Sequence, residues 1–356
     1  MPFENLLEIT VRAFFFNSET DYLPYYKNFT FTLDNDTPLV DVLKLIKEKN
    51  SDFSYPEEDL LFRVNNLIVT GVEKISDIVE ELGNELTIEP ALKYRSDNGL
   101  ILNNSDFLHQ YRTLFARHNT SKEDLAYYIT LYPIHYASET FNYNHEYIGD
   151  AILLLAHKMI VEDNSEYKEQ ILDAINDEFT GIRCCEYENN IFKGEDHSDK
   201  INELKAMLNL KEPISLIDKV SALTLRKKNH EIEESLEGTN IAFYTGNNTS
   251  NKIVEELSST AKANNINVIA FKMSSKKAGQ SIINDYSELA HIKAGTTLLD
   301  ALDSGADTLV CIEESDVNYF QSVIGRCERE LGRDIELKII SVNTLHKSKE
   351  KIEEEL

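Results

Sequence analysis

The sequence predicts a multidomain protein that combines an α+β part with an α/β part, and three observations lead to this class. The first hundred residues show short strand patterns around one helical pattern, the stretch up to about residue 235 is mainly helical, and strands alternate with helices from residue 240 onward. A length of 356 residues is enough for two or three domains. We therefore expect domains at residues 1–103, 104–235 and 240–346, followed by a charged tail at 347–356.

The N-terminal region begins with two segments rich in aromatic and β-branched residues, 8–15 and 28–33, which predict a strand pair. Thr37 and Pro38 then predict a helix start, with the threonine as cap and the proline in the first turn. Apolar residues follow at helical spacing, namely Leu39, Val42, Leu43 and Ile46. Further strands are expected at 61–64, 67–69 and 86–89. A hairpin, a helix and more strands in this order are typical of a β-grasp domain.

The middle region shows three apolar faces at helical spacing, so we expect a helical domain there. These faces comprise Ile171, Leu172, Ile175 and Phe179; Leu204, Met207 and Leu208; and the stretch from Leu216 to Leu225. The polar, acidic stretch 229–238 ends in glycine and predicts the end of a helix and a linker.

The C-terminal region alternates strand and helix patterns. Strands are predicted at 240–244, 266–271, 308–312 and 336–342, and helices at 250–263, 282–303 and 317–331. Such alternation predicts a Rossmann-like parallel sheet.

The balance of charge limits the classes of partner. The chain has 62 acidic and 36 basic residues and a formal net charge of -26. Nucleic acids and anionic membrane surfaces attract positive charge, so we expect neither as a partner. The longest apolar run, 151–156, is far shorter than the roughly 20 residues that span a bilayer, and the first residues do not have the pattern of a signal peptide. These features predict a cytoplasmic protein without membrane insertion.

Four segments resemble the N-terminal domain of the iron–sulfur subunits of succinate dehydrogenase and fumarate reductase. They are Ile9-Thr10-Val11-Arg12-Ala13-Phe14, Asp21-Tyr22-Leu23-Pro24-Tyr25-Tyr26, Leu86-Thr87-Ile88-Glu89-Pro90 and Phe107-Leu108-His109-Gln110-Tyr111-Arg112. The resemblance implies a ferredoxin-like β-grasp domain that holds a 2Fe–2S cluster. However, no cysteine precedes Cys184, and clusters are held by thiolates. We therefore expect no cluster in this domain.

The resemblance extends over the middle and C-terminal regions, again without the ligand cysteines. The segments 147–151 and 181–184 resemble the helical domain of these iron–sulfur proteins, and 136–140 occupies the place of a Cys-x-x-Cys-x-x-x-Cys run. The segments 244–247, 277–279 and 305–307 resemble the B-like, Cys-rich module of heterodisulfide reductases. A fusion of the two modules is found in proteins of the thiol:fumarate reductase type. With so few thiols left, we expect no cofactor, and side chains such as Phe141 or Tyr143 should fill the emptied sites.

A polar pocket is predicted in the C-terminal domain, because ligands of open parallel sheets lie beyond the carboxyl ends of the strands. Asn247, Lys277, Glu313 and Asp316 each follow a predicted strand, and Lys277 should offset the two carboxylates. A surface salt bridge among the same residues is the alternative. An alignment shifted by two residues would instead place Cys311 at this position.

The loop after the first of these strands is a second candidate, for anion binding. Gly246, Asn248, Thr249 and Ser250 open the next helix, and free amides at a helix start hold anions. Thr249 or Ser250 acting as an ordinary helix cap explains the same residues.

The remaining cysteines and histidines favour no metal site. Four cysteines, at positions 184, 185, 311 and 327, do not indicate the disulfide framework of a secreted protein. Cys184 and Cys185 fit two ordinary thiols better than a vicinal disulfide or half of a metal site. His135 and His145 flank the former cluster motif, but no set of four ligands is evident.

These observations predict a non-catalytic, cluster-free relative of an iron–sulfur electron-transfer subunit. It would act as a protein-binding, scaffold or regulatory protein, with a fumarate-reductase-like flavoprotein as one candidate partner. The alternative is an enzyme or a ligand sensor that uses the polar pocket of the C-terminal domain. The sequence does not specify the oligomeric state.

Overall fold

The computed structural model describes residues 6–115, 120–210, 236, 238–246, 251–263 and 265–343. The chain divides into two compact units. The first comprises Met1–Ile182 and Tyr187–Leu208, and the second comprises Arg183–Glu186 and Asn209–Leu356. Within the described ranges, the helices are all too short or too polar to cross a membrane. A multidomain α+β architecture is therefore confirmed, whereas the three domain boundaries stay predictions.

The first unit contains a mixed five-stranded sheet. Its strands are β1 (Leu6–Phe15), β2 (Tyr25–Asp34), β3 (Phe62–Val64), β4 (Leu67–Val69) and β5 (Glu85–Pro90). They lie in the order β2-β1-β5-β3-β4. The central pair β1–β5 is parallel, and the other pairs are antiparallel. Because side chains alternate along a strand, Ile9 and Val11 enter the core while Thr10 and Arg12 face outward.

Two helices accompany this sheet, α1 (Leu39–Lys49) and α2 (Ile75–Leu82). The prediction of Thr37 as the cap of α1 is wrong. The N-cap is Pro38, without a side-chain cap bond, and the Thr37 carbonyl instead accepts the Ile75 N–H at 2.9 Å. Helix α2 was not predicted from the sequence, although Ile75, Ile78, Val79 and Leu82 stand at helical spacing in it. With eight residues it is a short helix.

A small hairpin and six helices follow in the first unit. The hairpin strands are β6 (Ser96–Asn98) and β7 (Ile101–Leu102). The helices are α3 (Ser105–Phe115), α4 (Lys122–Thr130), α5 (Tyr132–Ala137), α6 (Asp150–His157), α7 (Lys168–Ile175) and α8 (Ser198–Met207). A π-helical segment, Lys158–Glu162, continues α6.

The predicted helical face that ended at Phe179 is wrong. Helix α7 ends at Ile175, and the Asp177 side chain accepts the amide of Phe179 at 2.9 Å and thereby forms a turn. Phe179 is 56% exposed. The predicted face from Leu216 to Leu225 lies outside the described residues, as does most of the linker 229–238.

The second unit contains a parallel four-stranded sheet, as the alternation of patterns predicted. Its strands are β8 (Asn240–Tyr244), β9 (Asn267–Ile269), β10 (Thr308–Cys311) and β11 (Lys338–Ser341), in the order β11-β10-β8-β9. Its helices are α9 (Asn251–Ala263), α10 (Ser287–Asp303) and α11 (Glu314–Leu331). Helix α10 begins five residues later than predicted, because a 3-10 turn at Gln280–Ile282 precedes it.

Candidate functional site

The carboxyl ends of β8 and β10 meet at one edge of the parallel sheet. Tyr244 and Cys311, the last residues of these strands, stand opposite each other, and the Ile312 N–H donates to the Tyr244 carbonyl at 3.1 Å. Thr245 then turns toward the segment after β9, where its N–H donates to the Ser274 carbonyl at 2.8 Å. The residues that follow three neighbouring strands are thus gathered at this edge.

Tyr244 holds this edge together. Its ring is buried and packs edge-on against Phe320, with the centroids 5.0 Å apart. Its hydroxyl donates to the Lys276 carbonyl at 2.8 Å. This bond fixes the main chain next to Lys277 at the end of β8.

Asp316 supplies a carboxyl group at the same edge. Its Oδ2 lies 3.9 Å from the position that a Cβ atom on Gly246 would occupy. Burial, and to a smaller extent repulsion by Glu313, raises the pKa of Asp316 to about 6. Burial and the nearby Asp316 also raise the pKa of the Cys311 thiol well above its ordinary value. Cys311 is therefore protonated at neutral pH and is not an activated nucleophile.

The structure places the predicted pocket residues as follows. Asp316 lies beside Gly246, a residue of the predicted anion site, and Glu313 is exposed immediately before α11. Lys277 is half-buried. A nearby lysine would lower the pKa of Asp316, but the pKa is raised, by burial and by Glu313. That Lys277 offsets the charges of Asp316 and Glu313 therefore stays a prediction. Asn247, the fourth predicted residue, lies outside the described residues.

The structure describes Gly246 of the four residues predicted to form an anion site at the start of the helix. Asn248, Thr249 and Ser250 lie outside the described residues. Gly246 is described, and the carboxyl of Asp316 faces it. When Asp316 is ionised, it opposes the binding of phosphate at this position.

A buried ion pair in the second unit escaped the sequence analysis. Lys293 of α10 and Glu186 are both buried, with Nζ and Oε2 2.5 Å apart. The same carboxylate accepts the Gly279 N–H at 2.8 Å, and the N–H and hydroxyl of Ser281 at 3.2 and 2.9 Å. Burial alone would raise the pKa of Glu186, but Lys293 and these hydrogen bonds hold it below its ordinary value. The signal in the sequence was a lysine within the apolar pattern of α10.

The backbone beside this ion pair requires glycine at position 279. Its φ of +92° lies in the left-handed region, and a Cβ atom there would stand 2.7 Å from the Cα and the carbonyl oxygen of Ala290. Tyr319 closes the same place, because its hydroxyl donates to the Ala278 carbonyl at 3.0 Å. Glu186 thus bonds the main chain at Gly279, within the segment 277–279 that resembles part of the Cys-rich module of heterodisulfide reductases.

A second buried ion pair lies in the first unit, where the resemblance placed a run of cysteines. Arg63 of β3 donates from Nη1 to Oε1 of Glu139 at 3.2 Å. It also donates to the carbonyls of Ala91 at 2.7 Å, Asn66 at 2.8 Å and Tyr136 at 3.0 Å. The guanidinium therefore ties β3 to the segment that follows α5.

Aromatic residues and a buried histidine pack beside this pair. His135 is fully buried, with Nε2 3.2 Å from Oδ2 of Asp106, and Tyr136 donates its hydroxyl to Oδ1 of the same residue at 2.7 Å. Phe141 is buried, as expected, with its ring centroid 4.8 Å from that of His135. Tyr143, the alternative, is half-buried.

The candidates for metal binding are engaged elsewhere. His145 stacks on Tyr94 with the centroids 3.9 Å apart, whereas His135 contacts Asp106. Cys184 and Cys185 are buried and are not joined by a disulfide. In the described part of the chain, no three histidine, cysteine or acidic side chains lie close enough together to hold a metal ion.

Comparisons with known proteins give a likeness of structure only. No family model and no curated protein matches the chain. Among solved structures, it is similar to a hypothetical protein from Helicobacter pylori, with 17% sequence identity and a TM-score of 0.49. The match covers 94% of this chain and 70% of that protein.

Proposed function

We propose that this chain is a non-catalytic, cluster-free relative of the fused iron–sulfur proteins, and that it acts by binding another protein as a scaffold or regulator. In this proposal residues 1–103 are a β-grasp domain of ferredoxin type, 104–235 a helical domain and 240–346 a heterodisulfide reductase B-like domain. The strand order β2-β1-β5-β3-β4, with the first strand parallel to the last, is that of β-grasp domains and supports the first assignment.

One observation carries the proposal. At two places where the resemblance puts cluster cysteines, buried ion pairs occur instead: Arg63–Glu139 beside 136–140, and Glu186–Lys293 beside 277–279. Buried charges are tolerated when they are paired and hydrogen-bonded, and both carboxylates, Glu139 and Glu186, have a cation and hydrogen bonds. Protein interiors are close-packed, so side chains that fill such a position leave no room for a cluster.

The first experiment measures iron. The protein is purified and reconstituted without oxygen, and we expect no visible absorption band and no stoichiometric iron. A variant with Cys184→Ser and Cys185→Ser is the control, because it removes the thiol pair that would bind iron adventitiously. Two or more irons per chain that survive this change would contradict the proposal.

The second experiment looks for the partner. The tagged chain is isolated from its native cells at low and at physiological salt, and a flavoprotein is the first candidate to be sought. The net charge of -26 should make association with a basic surface faster at low salt. If no protein is recovered in stoichiometric amount at either salt concentration, the binding role is wrong.

A ligand sensor is the second candidate function, and Asp316 is the observation that favours it. A carboxyl group with a pKa of about 6, at the carboxyl edge of a parallel sheet, has the chemistry and the location of a binding site. Melting temperatures with panels of small cations and anions test this function, with Asp316→Asn as the control. A shift that is equal in both proteins, or absent from both, would count against it.

A further inference from the structure

Strand β2 is one edge of the mixed sheet. It runs for ten residues, and among the described strands it pairs with β1 alone. The opposite edge, β4, is covered by a later segment of the chain. There the Ile68 N–H donates to the Asn190 carbonyl at 2.7 Å, and the Ile68 carbonyl accepts the Phe192 N–H at 2.9 Å. Because an unpaired edge is a template for a further strand, β2 is the edge of this sheet that is suited to strand addition.

The main-chain groups of Thr30, in the middle of β2, point out of the sheet. Thr30 stands opposite Thr10, whose N–H donates in the other direction, to the Asn84 carbonyl at 2.9 Å. Thr10 and Thr30 are therefore a non-hydrogen-bonded pair of the antiparallel ladder. In the part of the chain that the structure describes, the exposed Lys49 donates from Nζ to the Thr30 carbonyl at 3.3 Å. A carbonyl oxygen accepts two hydrogen bonds, so this group still has a free lone pair.

The edge has few of the features that prevent strands from being added. The pairs between β1 and β2 follow one another without a bulge. The strand contains no proline or glycine, and its stretch 28–33 has no charged residue. Asn28, Thr30 and Thr32 are exposed, and by alternation the N–H and C=O groups of all three face outward. Natural edges are protected by bulges, prolines or several charges, so this edge is open to pairing.

The two ends of β2 differ in charge. Within the strand, only Lys27, near the start, and Asp34, at the end, are charged. Glu8 of β1 is exposed at the Asp34 end, whereas Asp21 and Asp52 lie near the start. The start is therefore mixed in charge and the end is acidic. Antiparallel pairing of two copies joins the mixed end of one strand to the acidic end of the other, whereas parallel pairing would bring the two acidic ends together.

A pairing centred on Thr30 matches the pattern of the strand, because Thr30 is the middle one of its outward-facing residues. Two-fold symmetry then places Thr30 opposite Thr30 of the second copy, and Asn28 opposite Thr32. Each such pair exchanges two main-chain hydrogen bonds. On the core side, Phe29 stands opposite Phe31 of the second copy, and these rings are already stacked within one strand, with the centroids 6.2 Å apart. The apolar side of β2 therefore meets the apolar side of its copy.

We propose that two copies of this chain associate through β2, antiparallel and centred on Thr30, so that their mixed sheets join into one continuous sheet. The main chain supplies the hydrogen bonds, and the uncharged stretch 28–33 lets the two strands approach. Because each copy has a net charge of -26, the association should tighten as the salt concentration rises. This inference goes beyond the proposed scaffold role and does not depend on it.

Sedimentation velocity of the full chain, over a range of protein and salt concentrations, tests the association. We expect a monomer–dimer equilibrium that shifts toward the dimer when salt is added. Thr30→Pro removes the central outward N–H at an edge position where proline is tolerated, and it should raise the dimer Kd at least about tenfold. Thr30→Val is the matched control, because it keeps the N–H and a β-branched side chain and should dimerise like the parent.

Disulfide cross-linking tests the register. The native cysteines are all buried, so one new exposed cysteine reports alone. In Thr30→Cys the two Cα atoms stand about 5.5 Å apart across the dimer axis, and mild oxidation should join the copies. Thr10→Cys is the control, since Thr10 is also exposed but lies one strand further from the axis. Its two Cα atoms would be about 14 Å apart, which is too far for a disulfide.

The outcomes decide between the second copy and other occupants of this edge. A dimer that Thr30→Pro weakens, and that cross-links from position 30 but not from position 10, supports the proposal. A chain that stays monomeric at every protein and salt concentration, or a dimer whose Kd is the same in Thr30→Pro, overturns it. If the pure chain is monomeric and Thr30→Cys forms a mixed disulfide with another protein in native cells, the second copy is the wrong occupant. Should Thr30→Pro fail to fold, the two cysteine variants decide.

Discussion

Replacing Lys293 with methionine should destabilise the second unit by an amount that depends on pH. The two charges of the Glu186–Lys293 pair are 2.5 Å apart, and at an effective dielectric constant of about 20 their attraction is about 7 kcal/mol. The cost of removing both ions from water offsets most of that attraction in the native protein. The variant loses the attraction but keeps the buried carboxylate.

The loss in the free energy of unfolding has an upper limit, because Glu186 in the variant can take up a proton instead of remaining charged. Protonating a glutamate of ordinary pKa costs about 4 kcal/mol at pH 7.5 and about 2 kcal/mol at pH 5.5. The expected loss in the free energy of unfolding is therefore about 3–4 kcal/mol at pH 7.5, close to the value found for broken buried pairs. It should shrink by about half at pH 5.5.

Glu186 changes the stability of the variant with pH in the opposite direction to its effect in the parent protein. In the parent, the pKa of Glu186 is lowered on folding, so the group stabilises the fold above its ordinary pKa and this contribution is lost as the pH falls. Without Lys293, burial raises the pKa of Glu186, so stability is lost as the pH rises.

Urea unfolding, followed by circular dichroism at the two pH values, measures the loss. Hydrogen exchange of the Gly279 and Ser281 amides, which bond the carboxylate, gives a local readout. The matched control is the double variant Glu186→Gln with Lys293→Met, which buries no charge and should lose less stability, equally at both pH values. A loss below about 1 kcal/mol at pH 7.5, or an equal loss at both pH values in the single variant, would refute the reasoning.

Three further changes have defined outcomes. Asp316→Asn should stabilise the second unit by about 1 kcal/mol at pH 7.5, after discounting for partial exposure, because the raised pKa makes ionisation unfavourable in the fold. That gain should fade in urea titrations as the pH falls toward 4. Gly149→Ala should lower the melting temperature far more than Gly83→Ala; both glycines have positive φ, but only at Gly149 would a Cβ meet a neighbour, His135 Nδ1 at 2.5 Å. Arg63→Met should cost about 3–5 kcal/mol, since Glu139 would be left buried without its cation, and an unchanged urea midpoint would contradict this.

Local patterns in the sequence predicted the sheets well. The strands β8 and β10 were predicted to within one residue, because each is a short, buried, apolar segment between turn-forming residues. The rule that loops converge at the carboxyl edge of a parallel sheet predicted a pocket of Asn247, Lys277, Glu313 and Asp316, which stays a prediction. The structure shows Asp316 beside Gly246 at that edge.

Pairings between distant buried charges could not be predicted in the same way. Nothing near Glu186 in the sequence indicates Lys293, and nothing near Arg63 indicates Glu139. These contacts depend on how elements pack, and a charged residue within an apolar pattern only indicates that some partner must exist. The end of α7 was predicted wrongly because the side chain of Asp177 forms a turn, which the apolar spacing through Phe179 does not reveal.

The central position of β1 has a consequence for the order of events during synthesis. Val11 pairs with Leu86, so the sheet closes only when two segments about 75 residues apart meet, which carries a loop-closure cost and slows folding. The β1–β2 hairpin leaves the ribosome before β5, so the edge of β1 that pairs with β5 stays unpaired until β5 arrives. A nascent chain stalled before residue 85 should therefore be prone to aggregation and a target for chaperones, even though every residue of the hairpin has already been made.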